Sequence, residues 1–280
     1  MRSWARYLKV MIGGTILFLL FICGVGAPLL APYDPQEMKL SARLRPPTLT
    51  IGKEGSSFLG TDNLGRDLLS RIIYGSRISL LVGASTVIIA GIVGCILGAI
   101  AGYFGELIDE TINKTTEIFL AFPFLLLAIS IMAFLGQGLY NLILALVLSR
   151  WVHYCRVVRG EVLSLKERDF VQAVRALGGR DFYIIMKHVL PNTLPSVMVI
   201  ATFAMAIVII SEASLSFLGL GIPPSIATWG SMLSEGRSYM YRAPWLTIFP
   251  GIAIFITVLG INLLGDGLRD ILDPKLKRRR

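Results

Sequence analysis

An all-α integral membrane protein is the fold class that three features of this sequence predict. Hydrophobic residues fill 54% of its 280 positions and charged residues only 16%, against roughly 25% charged in soluble domains. Six apolar runs approach the ~20 residues that a membrane-spanning helix requires, at 10–30, 78–102, 118–135, 139–152, 193–217 and 245–264. The basic residues gather at the ends of these runs, as anchors and orienting charges do. Despite a net charge of +9, that distribution points to a lipid bilayer and not to nucleic acid.

The elements follow in order. Arg2, Arg6 and Lys9 precede the first run, which lacks a small-residue cleavage site and is therefore a membrane anchor, not a signal peptide. Segment 31–77 is polar and begins with Pro32, Pro35, Pro46 and Pro47, so it is expected as an extended strap over the outer face. It ends in a short interfacial helix around Leu68-Leu69 and Ile72-Ile73. The second run carries Gly83, Gly91, Gly94 and Gly98, small residues that let helices approach closely, so it should be central in the bundle. Gly136-Gln137-Gly138 joins the third run tightly to a short fourth one. Past the fifth run, Gly219, Gly221, Pro223 and Pro224 force sharp turns, and 228–233 is expected to dip back into the bundle mouth. A short polar helix and a basic tail suited to an anionic leaflet close the chain. With the N-terminus inside, 18 of the 27 lysines and arginines fall in inside segments, which places both termini in the cytoplasm.

Segment 170–192 is a soluble-looking insert between apolar runs. Asp169 is expected to cap its first helix, with Gln172 completing a capping box. Val171, Val174 and Leu177 then form one apolar side while Arg175 points elsewhere. Gly178-Gly179 ends this helix in the left-handed conformation open to glycine. Asp181 should cap a second helix, which Pro191 stops. A short amphipathic helix between spans is suited to a groove in another protein.

Glu212 lies within the fifth run, where a carboxylate is costly. Either it lines a translocation path with Ser211 and Ser214, or it is hydrogen-bonded to those serines or to a neighbouring helix. Enzymatic chemistry is not visible. No phosphate-binding G-x-x-x-x-G-K-[ST] loop and no H-E-x-x-H occur. His153 and His188 are far apart and better placed as polar residues than as metal ligands. The three cysteines form no disulfide or metal pattern. No cofactor is therefore expected.

Segment 170–192 resembles the EAA loop of importer-type ABC transporter permeases, with Gln172-Ala173-Val174 at the Glu-Ala-Ala run and Gly178 at the expected spacing. Gln172 replaces the family's glutamate and Val174 an alanine. The stretches Leu59–Asp67 (LGTDNLGRD), Ser216–Gly221 (SFLGLG) and Gly265–Asp270 (GDGLRD) resemble signatures of the second permease type in the dipeptide/oligopeptide/nickel subfamily. The resemblance implies six transmembrane helices, with anchor and strap in 1–77 and the permease transmembrane domain in 78–280. It further implies a second homologous permease, two ATPase subunits that bind the ATP, and an extracytoplasmic substrate-binding protein. The setting is a bacterial or archaeal cytoplasmic (inner) membrane. Asp169, Gln172, Ala173, Val174, Arg175, Leu177 and Gly178 would form the ATPase-coupling helix. Peptides are the expected cargo, with nickel or glutathione as alternatives; an ATP-independent secondary transporter is the reading from another class.

Overall fold

The computed structural model describes residues 2–48 and 57–272, with side chains from Tyr7 onward. The side chains of Arg2 and Arg6, strap residues 49–56 and the basic tail 273–280 lie outside the described residues. The described chain is helical, apart from the strap, the turns and one isolated backbone bridge.

Five helices are long and apolar enough to cross a bilayer unaided. They are α1 (Arg2–Val25), α3 (Leu68–Phe104), α6 (Leu139–Leu165), α9 (Leu190–Phe217) and α11 (Trp245–Leu272), with the four-residue α2 (Ala27–Leu30) following α1. A sixth crossing requires α4 (Glu106–Ala121) and α5 (Phe124–Leu135) together, and these meet at a bend of 88°. The third run, 118–135, is thus not one helix. Pro123 lacks an N–H and biases Phe122 towards extended backbone, which breaks the run although its composition is apolar throughout.

Two other boundaries move. α6 continues to Leu165, well past the apolar limit at 152, because Arg156 and Arg159 sit on a regular helix that leaves the hydrophobic zone. Arg159 then forks onto Asp109 of α4, with Nη2 2.6 Å from Oδ2. The strap-side interfacial helix is no separate element: α3 runs unbroken for 37 residues from an Asp67 N-cap whose carboxylate accepts the Ser70 N–H at 2.8 Å. Position 77, where strap and permease domain divide in the sequence, accordingly lies inside a helix.

α3 is the central helix, packed against α6, α9 and α1. A Cβ on Gly94 would stand 2.4 Å from the Trp151 carbonyl, and one on Gly98 would stand 2.4 Å from that of Cys155. Only glycine allows these backbones to meet, so α3 and α6 are locked in register by contact. α1 lies outside, against α11 and α3, and Lys9 pairs with Asp270 at 3.3 Å near the two ends of the chain. Segment 228–233 is regular and not irregular backbone: it opens α10 (Trp229–Arg237), where Thr228 and Ser231 exchange hydrogen bonds in a capping box. Trp229 is buried, and its indole N–H reaches the Ile72 carbonyl of α3 at 3.0 Å.

Candidate coupling site

Between α6 and α9 the chain makes two short helices, α7 (Asp169–Ala176) and α8 (Asp181–Ile184). The cap of α7 is Arg168, one residue earlier than expected, with extended backbone and no side-chain hydrogen bond. Asp169 already has helical backbone and supplies negative charge to the first turn, favourable against the helix dipole. No capping box forms at Asp169; the Gln172 amide donates instead to the Lys166 carbonyl at 2.7 Å, tying α7 to the end of α6.

The exit from α7 follows the sequence closely. Gly178 has φ +83°, its N–H reaches Arg175 O at 3.0 Å, and the Gly179 N–H reaches Val174 O at 3.0 Å. These two bonds make a Schellman cap, which satisfies carbonyls that the helix end would leave orphaned.

The two faces of α7 differ sharply. Val171 is fully buried and Val174 partly so, packed with Tyr103 of α3, Val158 and Val162 of α6, and Ile184 of α8. Leu177 does not join them. It follows the last helical residue, where the chain turns, and is 88% exposed. With Phe182 at 77% exposed it leaves apolar surface uncovered on the loop. Ala173 and Ala176 are exposed on the same helix and keep its outer face low.

Polar contacts fix the loop to α3. The Tyr103 hydroxyl donates to Asp181 Oδ1 at 2.6 Å, and the Arg175 guanidinium lies 5.1 Å from the Tyr103 ring centre. The contact with Tyr103 holds the Arg175 pKa above its ordinary value. Asp181 thus binds a neighbouring helix and does not cap α8, whose cap position is Arg180. Pro191 does not stop the second helix either. A π-turn over Ile185–Val189 widens the backbone ahead of it and relieves the ring–carbonyl clash, so α8 flows into α9.

The three residues considered for a translocation path do not converge. Glu212 is fully buried and accepts from Ser216 Oγ at 3.0 Å and from Ser79 Oγ of α3 at 3.3 Å. Ser211 is buried and Ser214 half-buried, and their hydroxyls donate to the carbonyls of Ile207 and Ile210 on their own helix, at 2.7 and 2.8 Å.

At the opposite end of α3 the strap is held by charge. Asp62 Oδ1 accepts the backbone N–H groups of Leu64 and Arg66, and its Oδ2 accepts from Arg66 Nε at 2.6 Å and Arg71 Nη1 at 2.8 Å. Glu235 of α10 receives Arg66 Nη2 at 2.7 Å. The carboxylate of Asp67 also receives the Ser57 and Ser70 hydroxyls. The LGTDNLGRD stretch is therefore a buckle joining strap, α3 and α10. Its partner Glu235 gave no sequence signal, since nothing local links positions 62 and 235.

An irregular strap on a helical bundle and an exposed, capped loop helix are the architecture of a membrane transport subunit. The chain belongs to the family described as binding-protein-dependent transport system inner membrane component, whose model matches residues 94–278. The N-terminal TM domain of oligopeptide transport permease C matches residues 9–47. The chain is 44% identical over 270 residues to the di/tripeptide transport system permease protein DppC of Pseudomonas aeruginosa, covering 96% of this chain and 89% of that protein. It is 41% identical over 277 residues to the glutathione transport system permease protein GsiD of Pectobacterium atrosepticum, covering 98% and 90%. Among solved structures, the inward-facing MetNI methionine ABC transporter aligns with TM-score 0.59 at 20% identity, over 74% of this chain and 98% of that one. That likeness supports the fold. The protein is a multi-pass inner-membrane permease of a binding-protein-dependent ABC importer.

Proposed function

We propose that this chain forms one transmembrane half of an ATP-driven importer of di- and oligopeptides. Its companions are a related permease, two ATPase subunits that hold the ATP, and an external binding protein that delivers cargo. Both termini and the 169–189 loop face the cytoplasm, as the lysine and arginine bias requires. The strap and α10 then face outwards, towards the binding protein. This chain needs no cofactor of its own.

The single observation that carries the reading is the asymmetry of α7: Val171 buried against α3 and α6, and Leu177 and Phe182 bare beyond it. α7 with Gly178, from Asp169 through Gln172, Ala173, Val174, Arg175 and Leu177, is the coupling helix. Seated in an ATPase cleft, it follows the closure of the ATPase pair and biases the spans from inward-open to outward-open. ATP must therefore bind one of the two states more tightly. We read Glu212 as a buried clasp between α3 and α9 that shapes the path without touching cargo.

Peptide cargo is favoured by the di/tripeptide relative, which is similar along nearly the whole chain. The glutathione relative supports a second reading, glutathione being itself a small peptide. Reconstitution in liposomes with the four companions tests both. Labelled dipeptide should accumulate only with ATP and all subunits present. Flux without the ATPases refutes the coupled mechanism, and competition by glutathione but not by dipeptides selects the second cargo.

A further inference from the structure

Two cavities meet at Arg77 and Leu81, at the strap end of the bundle. The first is an apolar slot of about 600 Å³ between α1 and α3, floored by Met205 of α9 and walled by Phe18, Phe21 and Leu80. The second is a chamber of about 810 Å³ beneath the strap, of mixed lining, with Asp34, Gln36 and Tyr74 on its walls. Arg77 lines both.

The slot has the length of one lipid tail. It runs from Arg77 to Ile88 along α3 and from Val25 to Leu17 along α1. At ~1.5 Å per residue these are about 12–17 Å, half of a ~30 Å hydrocarbon core. Gly24, Ala84 and Ser85 line it and give it depth. Gly24 lies beside Arg77, as a Cβ there would be 3.3 Å from the Arg77 Cα. Arg77 therefore stands at the slot's end, where the slot meets the chamber.

The chamber is built by specific contacts. The strap is pinned over it by Tyr33 N–H to Ser70 Oγ at 3.1 Å and by Gln36 Nε2 to Ser225 O at 3.3 Å. Arg77 is exposed, and neither it nor Asp34 has an ion-pair partner among the described residues. Asp34 uses one carboxylate oxygen to accept the Gln36 N–H at 2.8 Å. One unpaired cation at the mouth of an apolar slot and one unpaired carboxylate on the exposed wall of the adjoining chamber match a ligand with an acyl tail, a phosphate and an amine.

We propose that this is a phospholipid site, and that its occupant is a diacyl lipid whose headgroup ends in a primary amine. One acyl chain fills the α1–α3 slot, the phosphate meets Arg77, and the ammonium meets Asp34. A headgroup ending in glycerol satisfies Arg77 and leaves Asp34 without a cation. The site depends on the chain spanning a membrane and on neither cargo nor coupling, so its failure leaves the import reading intact.

Native mass spectrometry of the detergent-purified, delipidated transporter tests this, with phosphatidylethanolamine and phosphatidylglycerol of identical chains titrated in competition. Phosphatidylethanolamine should be retained preferentially. Arg77→Gln should weaken its retention about tenfold, the loss of one charge-assisted contact. Ala84→Phe, which fills the slot, should weaken both lipids. Asp34→Asn should leave phosphatidylglycerol unchanged and abolish the preference. Equal retention of the two lipids by the unaltered protein, or retention insensitive to Arg77→Gln and Ala84→Phe, overturns the site.

Discussion

The hydroxyl of Tyr103 lies 2.6 Å from the carboxylate of Asp181, joining the last turn of α3 to the loop that carries α7. The same ring stands beside Arg175 of α7. One aromatic side chain thus ties α7, the proposed coupling helix, to the central helix, so movement of α7 has a direct mechanical route into the bundle. Tyr103→Phe should keep the ring and lose the hydroxyl bond, about 1 kcal/mol. Cargo-stimulated ATPase activity of the reconstituted transporter should fall while basal ATPase activity and subunit stoichiometry stay unchanged. An undiminished cargo response would show that Tyr103 is only a packing residue.

Gly178 tests the cap. At φ +83° any other residue is strained, and an alanine there costs about 1 kcal/mol. The space around it is open, so that cost is conformational and not steric. Gly178→Ala should lower transport several-fold. Gly178→Pro, whose ring fixes φ near −65° and removes the N–H that reaches Arg175 O, should abolish it. Both variants should still insert in the membrane, which fractionation and immunoblotting would show.

Leu177 and Phe182 are predicted to touch the ATPase. Leu177→Glu places a charge on the exposed apolar surface and should reduce co-purification of the ATPase subunits, with the related permease still bound. Co-purification at the original level would exclude this surface from the interface.

The buckle at the other end of α3 is a buried charge network. Arg71 is 1% exposed and Asp62 4%. Removing either partner leaves the other its remaining contact, Asp62 to Arg66 or Arg71 to Glu235, so the cost is that of one lost charged hydrogen bond, about 1.5–3 kcal/mol. Arg71→Met and Asp62→Asn should each lower the thermal unfolding midpoint in detergent, and the double variant should lose less than the two single losses added together. Strict additivity would mean that the pair is not coupled.

Much of this architecture was legible because it rests on local chemistry. Gly178-Gly179 announced the end of α7, and the buried Val171 and half-buried Val174 were marked by helical spacing. The close approach of α3 and α6 was foreshadowed by Gly94 and Gly98, although a glycine stripe does not say which helix it meets. The misplacements share a cause: composition hides backbone geometry. The break at Pro123 lies within apolar residues, and the helical continuation to Leu165 lies among charged ones. Pro191 looked like a stop until the π-turn absorbed it. Leu177 had the right spacing for the core, but the chain had already left the helix. Glu235, 173 positions from Asp62, is joined to it only by the fold.

α3 runs without a joint from the Asp67 cap to Phe104. At ~1.5 Å per residue its 37 residues span about 55 Å, well beyond the ~30 Å of membrane hydrocarbon. Tyr103 and Arg71 are therefore opposite ends of one pushrod, and a tilt imposed at the first must displace the strap buckle at the second. In the importer proposed above, delivery on one side of the membrane and fuel use on the other are then joined by one uninterrupted helix.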